Sequence, residues 1–468
     1  MSPIAQQVGR IGRSPGFKFF LICFLILLLL IPLLIVAGLV SEREQRANSV
    51  QSEVSQTWGG QQQLSGPFLV VPYMVSVRIR DGEKWIEELQ ERRAVFLPEA
   101  LSITGSAASK ILHRSIFDVS VYSSKLSIDG RFEPPSMADV DPNARSVRWA
   151  DAAIALALSD VAGLKEAATL TVSATGPGTA ASGTDALAFS PSLGIPGINI
   201  NGIHAKLGPA KTAFGGDGTL QEITFHSDLV FSGSGKLTFA PAARETKVSL
   251  TSDWPHPSFM GAFLPVDREV SVNGFKASWR VPHLARSVPN VWSLADAGFD
   301  RFGPYQFGVS FYQPVDFYDA VNRAVKYGIL FLAMAFMGVF VLELLSRESV
   351  HAVQYLFVGI AMVFFYVLLL SLSEHIGFFA AYAIASVATG GMLSLYVGKT
   401  LRSTSSGLLM LALFLLLYGL LYFILQLEDY ALLTGAILGF TALTAVMFAT
   451  LRVDWTGLAL HGNDAAAQ

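Results

Sequence analysis

Three residues with the chemistry of a serine hydrolase occur within one short stretch of the chain. Ser252, Asp253 and His256 lie in the run Thr251–Phe259, which reads Thr-Ser-Asp-Trp-Pro-His-Pro-Ser-Phe. A catalytic triad is defined by geometry rather than by closeness in sequence, and no G-x-S-x-G nucleophile elbow supports one here. We therefore predict a proline-fixed turn in which Asp253 is the turn cap and Trp254 anchors the core.

A second polar group lies between two apolar segments near the C-terminus. Ser371, Ser373, Glu374 and His375 could relay protons or hold a metal, but a metal needs further ligands at close quarters. No other histidine is near in sequence on that side. We expect a polar turn that satisfies the helix ends and makes a structural contact beside the base of the neighbouring domain. An ionisable pair at a membrane boundary still indicates an important contact.

One carboxylate, Glu343, stands inside an apolar segment, two residues before its end. An ionisable residue within a span is by default a functional candidate. Because Glu343 is close to the boundary, we expect its side chain to reach water or to pair with Arg347, four residues later. The sequence contains no P-loop, G-x-G-x-x-G, H-E-x-x-H or C-x-x-C motif. We therefore expect no enzymatic activity, no cofactor and no metal.

The composition indicates that much of the chain is dissolved in lipid. Charged residues make up 15% of it and hydrophobic residues 52%, whereas a soluble chain carries about 25% charge. The net charge of -3 gives no indication of a nucleic-acid partner, and the single cysteine, Cys23, excludes an intramolecular disulfide. A spanning helix needs about 20 apolar residues. Six segments qualify: Phe19–Val40, Tyr327–Leu345, Val353–Leu372, His375–Val397, Ser406–Leu425 and Tyr430–Thr450.

The short flanks of these segments predict the orientation of the chain. The first segment is longer than the apolar core of a signal peptide and lacks an A-x-A cleavage pattern, so it is an uncleaved anchor. Lys and Arg are enriched on the cytoplasmic side of membrane proteins. Each of the four flanks that share one side contains Lys or Arg: Arg10, Arg13, Lys18, Arg347, Lys399, Arg402 and Arg452. The links at 373–374 and 426–429 have none. Both termini are therefore predicted to be cytoplasmic, and the long segment 41–326 lies outside.

The outer segment has the pattern of a β-rich domain. Stretches such as Val119–Ile128, Lys247–Thr251 and Phe275–Arg280 alternate with a period of two. Many short strands separated by Gly and Ser indicate a β-sandwich. In the stretch Asp228–Ala240, two glycines interrupt a strand, which suggests a hairpin or a bulge. From Phe317 onward, apolar residues follow helical spacing and should continue into the second span.

Several strings resemble the CreD family, the inner-membrane cell envelope integrity proteins of Gram-negative bacteria. They are Gly66–Tyr73 (GPFLVVPY), Phe96–Glu99 (FLPE), Thr251–Phe259 (TSDWPHPSF), His351–Leu356 (HAVQYL) and Leu370–Phe378 (LSLSEHIGF). The similarity covers nearly the whole chain, and one departure is Ala352, where the family usually has proline. The resemblance implies a stress-response role in envelope integrity and in tolerance of β-lactams, under a two-component system. It implies no catalytic residue.

The sequence therefore predicts an α+β membrane protein of the inner (plasma) membrane. Its parts are a cytoplasmic N-terminus (1–18), a transmembrane helix (19–40), a periplasmic β-sandwich-like domain (41–326), a five-helix transmembrane bundle (327–450) and a cytoplasmic tail (451–468). The expected partners are the lipid bilayer and a periplasmic or cell-wall component. The alternative is a transporter or enzyme acting on an envelope lipid or a cell-wall fragment. A deep polar cavity beside Glu374 and His375 would favour that alternative.

Overall fold

The computed structural model describes residues 15–81, 84–174, 183–296, 298–311, 317–346, 349–426 and 431–450. The chain divides into two compact units. The helical unit comprises Met1–Asn48 and Val315–Gln468, and the β unit comprises Ser49–Pro314.

The helical unit consists of long apolar helices. They are α1 (Pro15–Trp58), α2 (Phe317–Ser346), α3 (Ala352–Ile376), α4 (Phe378–Thr400), α5 (Thr404–Gln426) and α6 (Ala431–Thr450). As the helical spacing predicts, the segment that begins at Phe317 continues without a break into the second span. It buries Val321, Ala324, Val325 and Gly328 along one face.

The number of membrane-length helices differs from the prediction. Among the described residues, five helices are long and apolar enough to cross a membrane, one N-terminal and four C-terminal: α1 to α5. Six spans were predicted, one more than these five. The remaining predicted segment, Tyr430–Thr450, corresponds to α6, a helix of 20 residues. The first predicted span, 19–40, is the apolar part of the 44-residue helix α1.

Small residues allow α1 to pack closely on the other helices. A Cβ on Gly359 of α3 would lie 2.1 Å from Leu29 Cδ1, and one on Gly328 of α2 would lie 2.9 Å from Leu33 Cδ1. Since lipid supplies little hydrophobic drive for helix association, such close packing is what holds membrane helices together.

The β unit contains two mixed sheets. Its strands are β1 (Gln62–Asp81), β2 (Lys84–Phe96), β3 (Ala100–Arg114), β4 (Phe117–Phe132), β5 (Ala144–Val147), β6 (Ala153–Leu158), β7 (Thr169–Ala174), β8 (Asp185–Ala188), β9 (Ser190–Pro191), β10 (Gly202–Lys206), β11 (Ile223–Ser234), β12 (Lys236–Phe239), β13 (Glu245–Ser252), β14 (Pro257–Gly261), β15 (Asp267–Ser271), β16 (Gly274–Pro282), β17 (Val291–Ser293) and β18 (Phe307–Phe311). One sheet has ten strands, with the central order β14-β18-β12-β1-β6-β10-β9, and β2, β5 and β17 complete it. The other has the order β15-β16-β13-β3-β4-β11-β7-β8. The β1–β12 and β3–β13 pairs are parallel.

One large core joins the two sheets, as in a sandwich. It includes Tyr73 and Phe239 of the ten-stranded sheet and Leu126 and Trp279 of the eight-stranded sheet. A second core lies around Phe68, Trp292 and other residues. Because β1 and β6 contribute side chains to both cores, β6 is buried at every position. The predicted α+β class with a β-sandwich-like domain is confirmed.

The glycines near residue 235 do not form the predicted hairpin or bulge. Strand β11 ends at Ser234 in the eight-stranded sheet, and β12 begins at Lys236 in the ten-stranded sheet. Gly235 between them has a φ of +67°, which is accessible to glycine at little steric cost. The prediction is wrong in pairing but correct in placing a sharp backbone turn: the chain crosses here from one sheet to the other.

Candidate functional site

A buried carboxylate, Glu343, connects three helices at one end of the helical unit. It lies in the last turn of α2 and is 4% exposed. Its Oε1 accepts hydrogen bonds from Lys18 Nζ of α1 and from the Val350 N–H at 2.8 Å. Its Oε2 accepts one from the Tyr355 hydroxyl of α3 at 2.7 Å. A buried charge is tolerated when it is paired and hydrogen-bonded, so this arrangement fastens the helices together.

The expected environment of Glu343 is therefore corrected. Its side chain is buried rather than reaching water, and its ion pair is with Lys18, whose side chain is 11% exposed. The expected partner, Arg347, lies outside the described residues. Lys18 also donates to the Ser349 hydroxyl at 3.3 Å. Sequence reasoning missed this pair because 325 positions separate its members, whereas the i,i+4 rule considers only one helix.

A second carboxylate, Glu374, occupies the other end of the same helices. Its side chain is 9% exposed. The hydroxyl of Tyr318, in the first turn of α2, donates to Glu374 Oε1 at 3.1 Å. Arg43 Nε of α1 lies 4.0 Å from the same oxygen. The neighbouring Ser373 is buried, and its Oγ has no hydrogen-bond partner among the described residues. The polar residues of this end thus come from α1, α2 and α3.

The polar residues predicted to form a turn are instead helical. Ser371, Ser373, Glu374 and His375 belong to the last two turns of α3, which ends at Ile376. Gly377 alone separates α3 from α4, and its φ of +78° makes the turn. Ser371 and His375 are exposed, while Glu374 faces Tyr318 and Arg43. The structure does not join Glu374 and His375 into one site, because successive helical residues point in different directions.

The residues that resemble a hydrolase triad have other partners. Asp253 Oδ1 accepts from the Ser109 N–H at 2.7 Å and from Ser252 Oγ at 3.5 Å. Ser252 Oγ in turn accepts from the Trp254 N–H at 3.2 Å. The side chain of His256 is exposed, and within residues 251–261 no hydrogen bond joins its ring to Ser252 or Asp253. A Ser–His–Asp relay is therefore not assembled.

Trp254 has a structural position in this motif. It is 6% exposed and belongs to the core between the sheets. Its Nε1–H donates to the His256 carbonyl at 3.0 Å, and its ring meets Phe311 edge-on at 6.4 Å. The motif thus makes a fixed corner between β13 and β14, which lie in different sheets.

The β unit presents an exposed sheet edge with several exposed apolar residues, which we call the edge face: strand β15 with the flanking residues Leu264, Val266 and Val272. β15 is the last strand of its sheet and pairs only with β16 among the described strands. Leu264, Val266, Val270 and Val272 are 66%, 68%, 52% and 87% exposed. An exposed edge strand carries unpaired backbone groups that can accept another strand. The sequence analysis missed these residues. The Asn273-Gly274 dipeptide, which is typical of a tight turn, could have indicated the β15–β16 hairpin.

A groove runs beside the edge face. Its volume is about 610 Å³, and Glu269, Ser271 and Lys276 line it together with Asp253 of the Trp254 motif. Thr251 and Ser106 add polar groups from β13 and β3. Carboxylate, amine and hydroxyl groups therefore adjoin the exposed Val270 in this groove.

A buried cation, Arg286, stabilises the loops that follow β12 and precede β17. It is 6% exposed, and its guanidinium donates to the carbonyls of Val288 and Ala243 and to Asn290 Oδ1. Burial lowers the pKa of Arg286 to about 10 because it disfavours the charged form. The group remains protonated at neutral pH and serves as a structural donor.

Comparison with known proteins gives the family of this chain. The family model described as inner membrane protein CreD matches residues 14–456. A protein of Escherichia coli (strain K12), named inner membrane protein CreD, is 32% identical over 436 residues, which cover 93% of this chain and 92% of that protein. The resemblance found in the sequence is confirmed, and the chain belongs to the CreD family of inner membrane proteins.

Proposed function

We propose that this protein is a non-enzymatic envelope-integrity protein whose β unit lies in the periplasm and binds an extended segment of an envelope protein along the edge face. The observation that carries the proposal is the unpaired edge of β15, with exposed valines in and beside the strand and a polar groove next to it. In strand addition, backbone hydrogen bonds supply affinity and adjacent pockets supply specificity.

The side chains of the edge face support this role. Val266 and Val270 share one face of the strand with Arg268 between them, because side chains alternate along it, and Val272 follows in the turn. Soluble proteins usually protect such an edge with charges, and Asp267 and Glu269 occupy the intervening positions. Val266, Val270 and Val272 nevertheless remain 68%, 52% and 87% exposed, and exposed apolar residues grouped near a sheet edge are typical of an interaction site.

Contacts within the helical unit support the proposed orientation. Lys18, before the first span, pairs with Glu343 at the end of α2, so these two ends lie on the same side. Arg43, after the first span, approaches Glu374 at the end of α3. These contacts agree with helices that alternate in direction, and the Lys and Arg distribution of the flanks then supports cytoplasmic termini with segment 41–326 outside.

The alternative of a transporter or membrane enzyme has less support. The groove of about 730 Å³ in the helical unit lies beside Gly398 and Gly407, not beside Glu374 and His375. In the β unit, Ser252 is bonded to Asp253 and Trp254 instead of to a histidine. These contacts favour a binding role.

The binding proposal is tested by placing polar groups on the edge face. The double variant Val270→Lys, Val272→Asp should lose tolerance of envelope stress by a β-lactam, in a host that lacks its own CreD protein. Leu284→Asn is the matched control, because Leu284 is 85% exposed and lies away from the edge face. Protein amounts are measured by immunoblot. If the double variant retained wild-type tolerance at normal protein level, the edge face would have no role in function.

The orientation is tested separately. Alkaline phosphatase folds actively only outside the cytoplasm, and the exposed loop at Gly216 and Asp217 offers an insertion point. We expect an active fusion. An inactive fusion at normal protein level would place the β unit in the cytoplasm and would contradict the proposal.

A further inference from the structure

We infer that the groove between α4 and α5 binds an anionic phospholipid, with its headgroup at Lys399 and Arg402. The groove has a volume of about 730 Å³, which is within the usual range of ligand pockets, about 300–1,000 Å³. It lies where the spanning helix α4 ends and α5 begins, which is the depth of lipid headgroups. This inference is independent of the proposed role of the edge face.

The groove combines small residues with an apolar wall. The two helices touch at Gly398 and Gly407, since a Cβ on Gly398 would lie 3.0 Å from the Gly407 Cα. At Gly391 an added Cβ would meet no atom within 4 Å, so the absent side chain leaves open space. Leu395 and Leu408, 69% and 68% exposed, form the sides. Such a surface suits a hydrocarbon chain.

Two cations stand at the mouth of this apolar groove. Lys399 and Arg402 are both exposed and both line it. Neither side chain pairs with a carboxylate among the described residues. Positive residues at the end of a helix interact favourably with its dipole and occur on the cytoplasmic side in general. These two effects explain why positive residues occur at this end of α4, but neither effect requires that one of them be at position 402.

The backbone of Arg402 supplies a second, independent observation. The Ser403 N–H donates to the Gly398 carbonyl at 3.0 Å, and the Arg402 N–H to the Lys399 carbonyl at 3.2 Å. These bonds form a Schellman motif, whose left-handed position is normally glycine. Here Arg402 occupies it with a φ of +47°. A turn that had only to end the helix would be better served by glycine. Strained residues of this kind cluster at ligand sites.

The chemistry of the site favours a lipid with a net negative headgroup. The cations would neutralise the phosphodiester, the hydroxyls of Ser403 and Thr404 line the same groove and can donate to its oxygens, and the leucines would contact an acyl chain. Basic pockets between spanning helices are known to bind anionic headgroups in this way. A zwitterionic lipid would gain less, because its own ammonium group opposes both cations.

The test uses the purified full-length protein in detergent, titrated with dioleoyl-phosphatidylglycerol or dioleoyl-phosphatidylcholine and analysed by native mass spectrometry. We expect tighter binding of phosphatidylglycerol. Arg402→Gly and Lys399→Gln should each weaken it about fivefold, the effect of one cation near a membrane surface, and leave phosphatidylcholine unchanged. Arg402→Gly is the decisive variant because glycine fits the turn, so the fold is retained. Lys326→Gln, which removes an exposed cation from α2, is the matched control and should bind both lipids normally.

Two outcomes would overturn the inference. One is equal binding of phosphatidylglycerol by wild type, Arg402→Gly and Lys399→Gln. The other is a lipid-independent dimer that Arg402→Gly abolishes, which would make the groove an interface between two copies of the chain.

Discussion

Replacing Glu343 by glutamine should destabilise the helical unit far more than a loss of one negative charge at its surface. Glutamine has nearly the same shape, but its single carbonyl oxygen can replace only one of the two carboxylate oxygens, which accept from the Val350 N–H and the Tyr355 hydroxyl respectively. It cannot neutralise Lys18, whose side chain is 11% exposed. Removing one member of a buried ion pair costs about 3–5 kcal/mol, because the other charge is left uncompensated.

The magnitude should fall at the lower end of that range. Lys18 is near the start of α1, and a long lysine side chain can move its ammonium toward water. We therefore expect Glu343→Gln to cost about 3 kcal/mol. Lys18→Met leaves the more deeply buried carboxylate with two neutral donors only and should cost about 3–5 kcal/mol. The double variant has no stranded charge, so it should cost about 2–3 kcal/mol in total, well below the sum of the single variants.

Heating in detergent followed by size-exclusion chromatography measures these differences as midpoints of thermal unfolding. For a unit of this size, 1 kcal/mol corresponds to about 2–4 °C, so Glu343→Gln should lower the midpoint by about 6–12 °C. Glu42→Gln, on the exposed surface of α1, is the control and should change the midpoint by less than about 2 °C. Additive effects in the double variant would refute the buried pair.

The remaining predictions concern single contacts. Tyr318→Phe removes a hydrogen bond to the Glu374 carboxylate near the end of α3 and should lower the stability by about 1.5–3 kcal/mol. His375→Gln, at an exposed position, should change the stability by no more than about 0.5 kcal/mol. Thermal unfolding in detergent compares the two variants, and equal effects would contradict the assignment. Arg286→Leu leaves two buried carbonyls and the part-buried Asn290 Oδ1 without this donor and should cost the β unit about 3 kcal/mol in urea unfolding. An unchanged midpoint would contradict its structural role. The hydrogen bond with Asp129 raises the pKa of His226, so its stabilisation is complete below about pH 6.5 and is lost as the pH rises through the folded-state value. Because the pair is largely exposed, the loss should be at most about 0.5 kcal/mol, and it should vanish in His226→Gln when unfolding is measured across this pH range.

Sequence patterns predicted the helices and strands for which a single physical requirement determines the pattern of residues. Apolar length predicted the spans of α1 to α5, because the thickness of the bilayer sets the length of a helix. Strict alternation predicted β13 and β16, whose burial also alternates. Strand β6 has no such signal, since a strand covered on both faces is an apolar run that periodicity cannot distinguish from a helix.

Pairing between distant segments was not predictable in this way. The turn at Gly235 has the same local requirement, a positive φ, whether the chain forms a hairpin or crosses to another sheet. The actual partner of β11 is β4, about a hundred residues earlier. Nothing in the local sequence encodes that distance, so the glycine was identified correctly and its topological role was not.

For the polar sites as well, the sequence identified the important residues but not their bonding partners. An ionisable residue in an apolar segment was recognisable as a candidate because an unpaired charge is costly there. Both carboxylates prove to be hydrogen-bonded, Glu343 in a buried position and Glu374 in a part-buried one. Their partners, Lys18 and Tyr318, belong to other helices. Sequence adjacency instead suggested His375, which the helical geometry turns away from the carboxylate.

The edge face was missed for a reason that follows from the physics of strands. Alternating valines in Val266–Val272 look the same in sequence whether they face a core or solvent, because the period of two reports only that one side differs from the other. Among the described strands, none pairs with the outer edge of β15. That position at the end of the sheet depends on the order of all eight strands. An interaction surface formed by a sheet edge is therefore a property of topology.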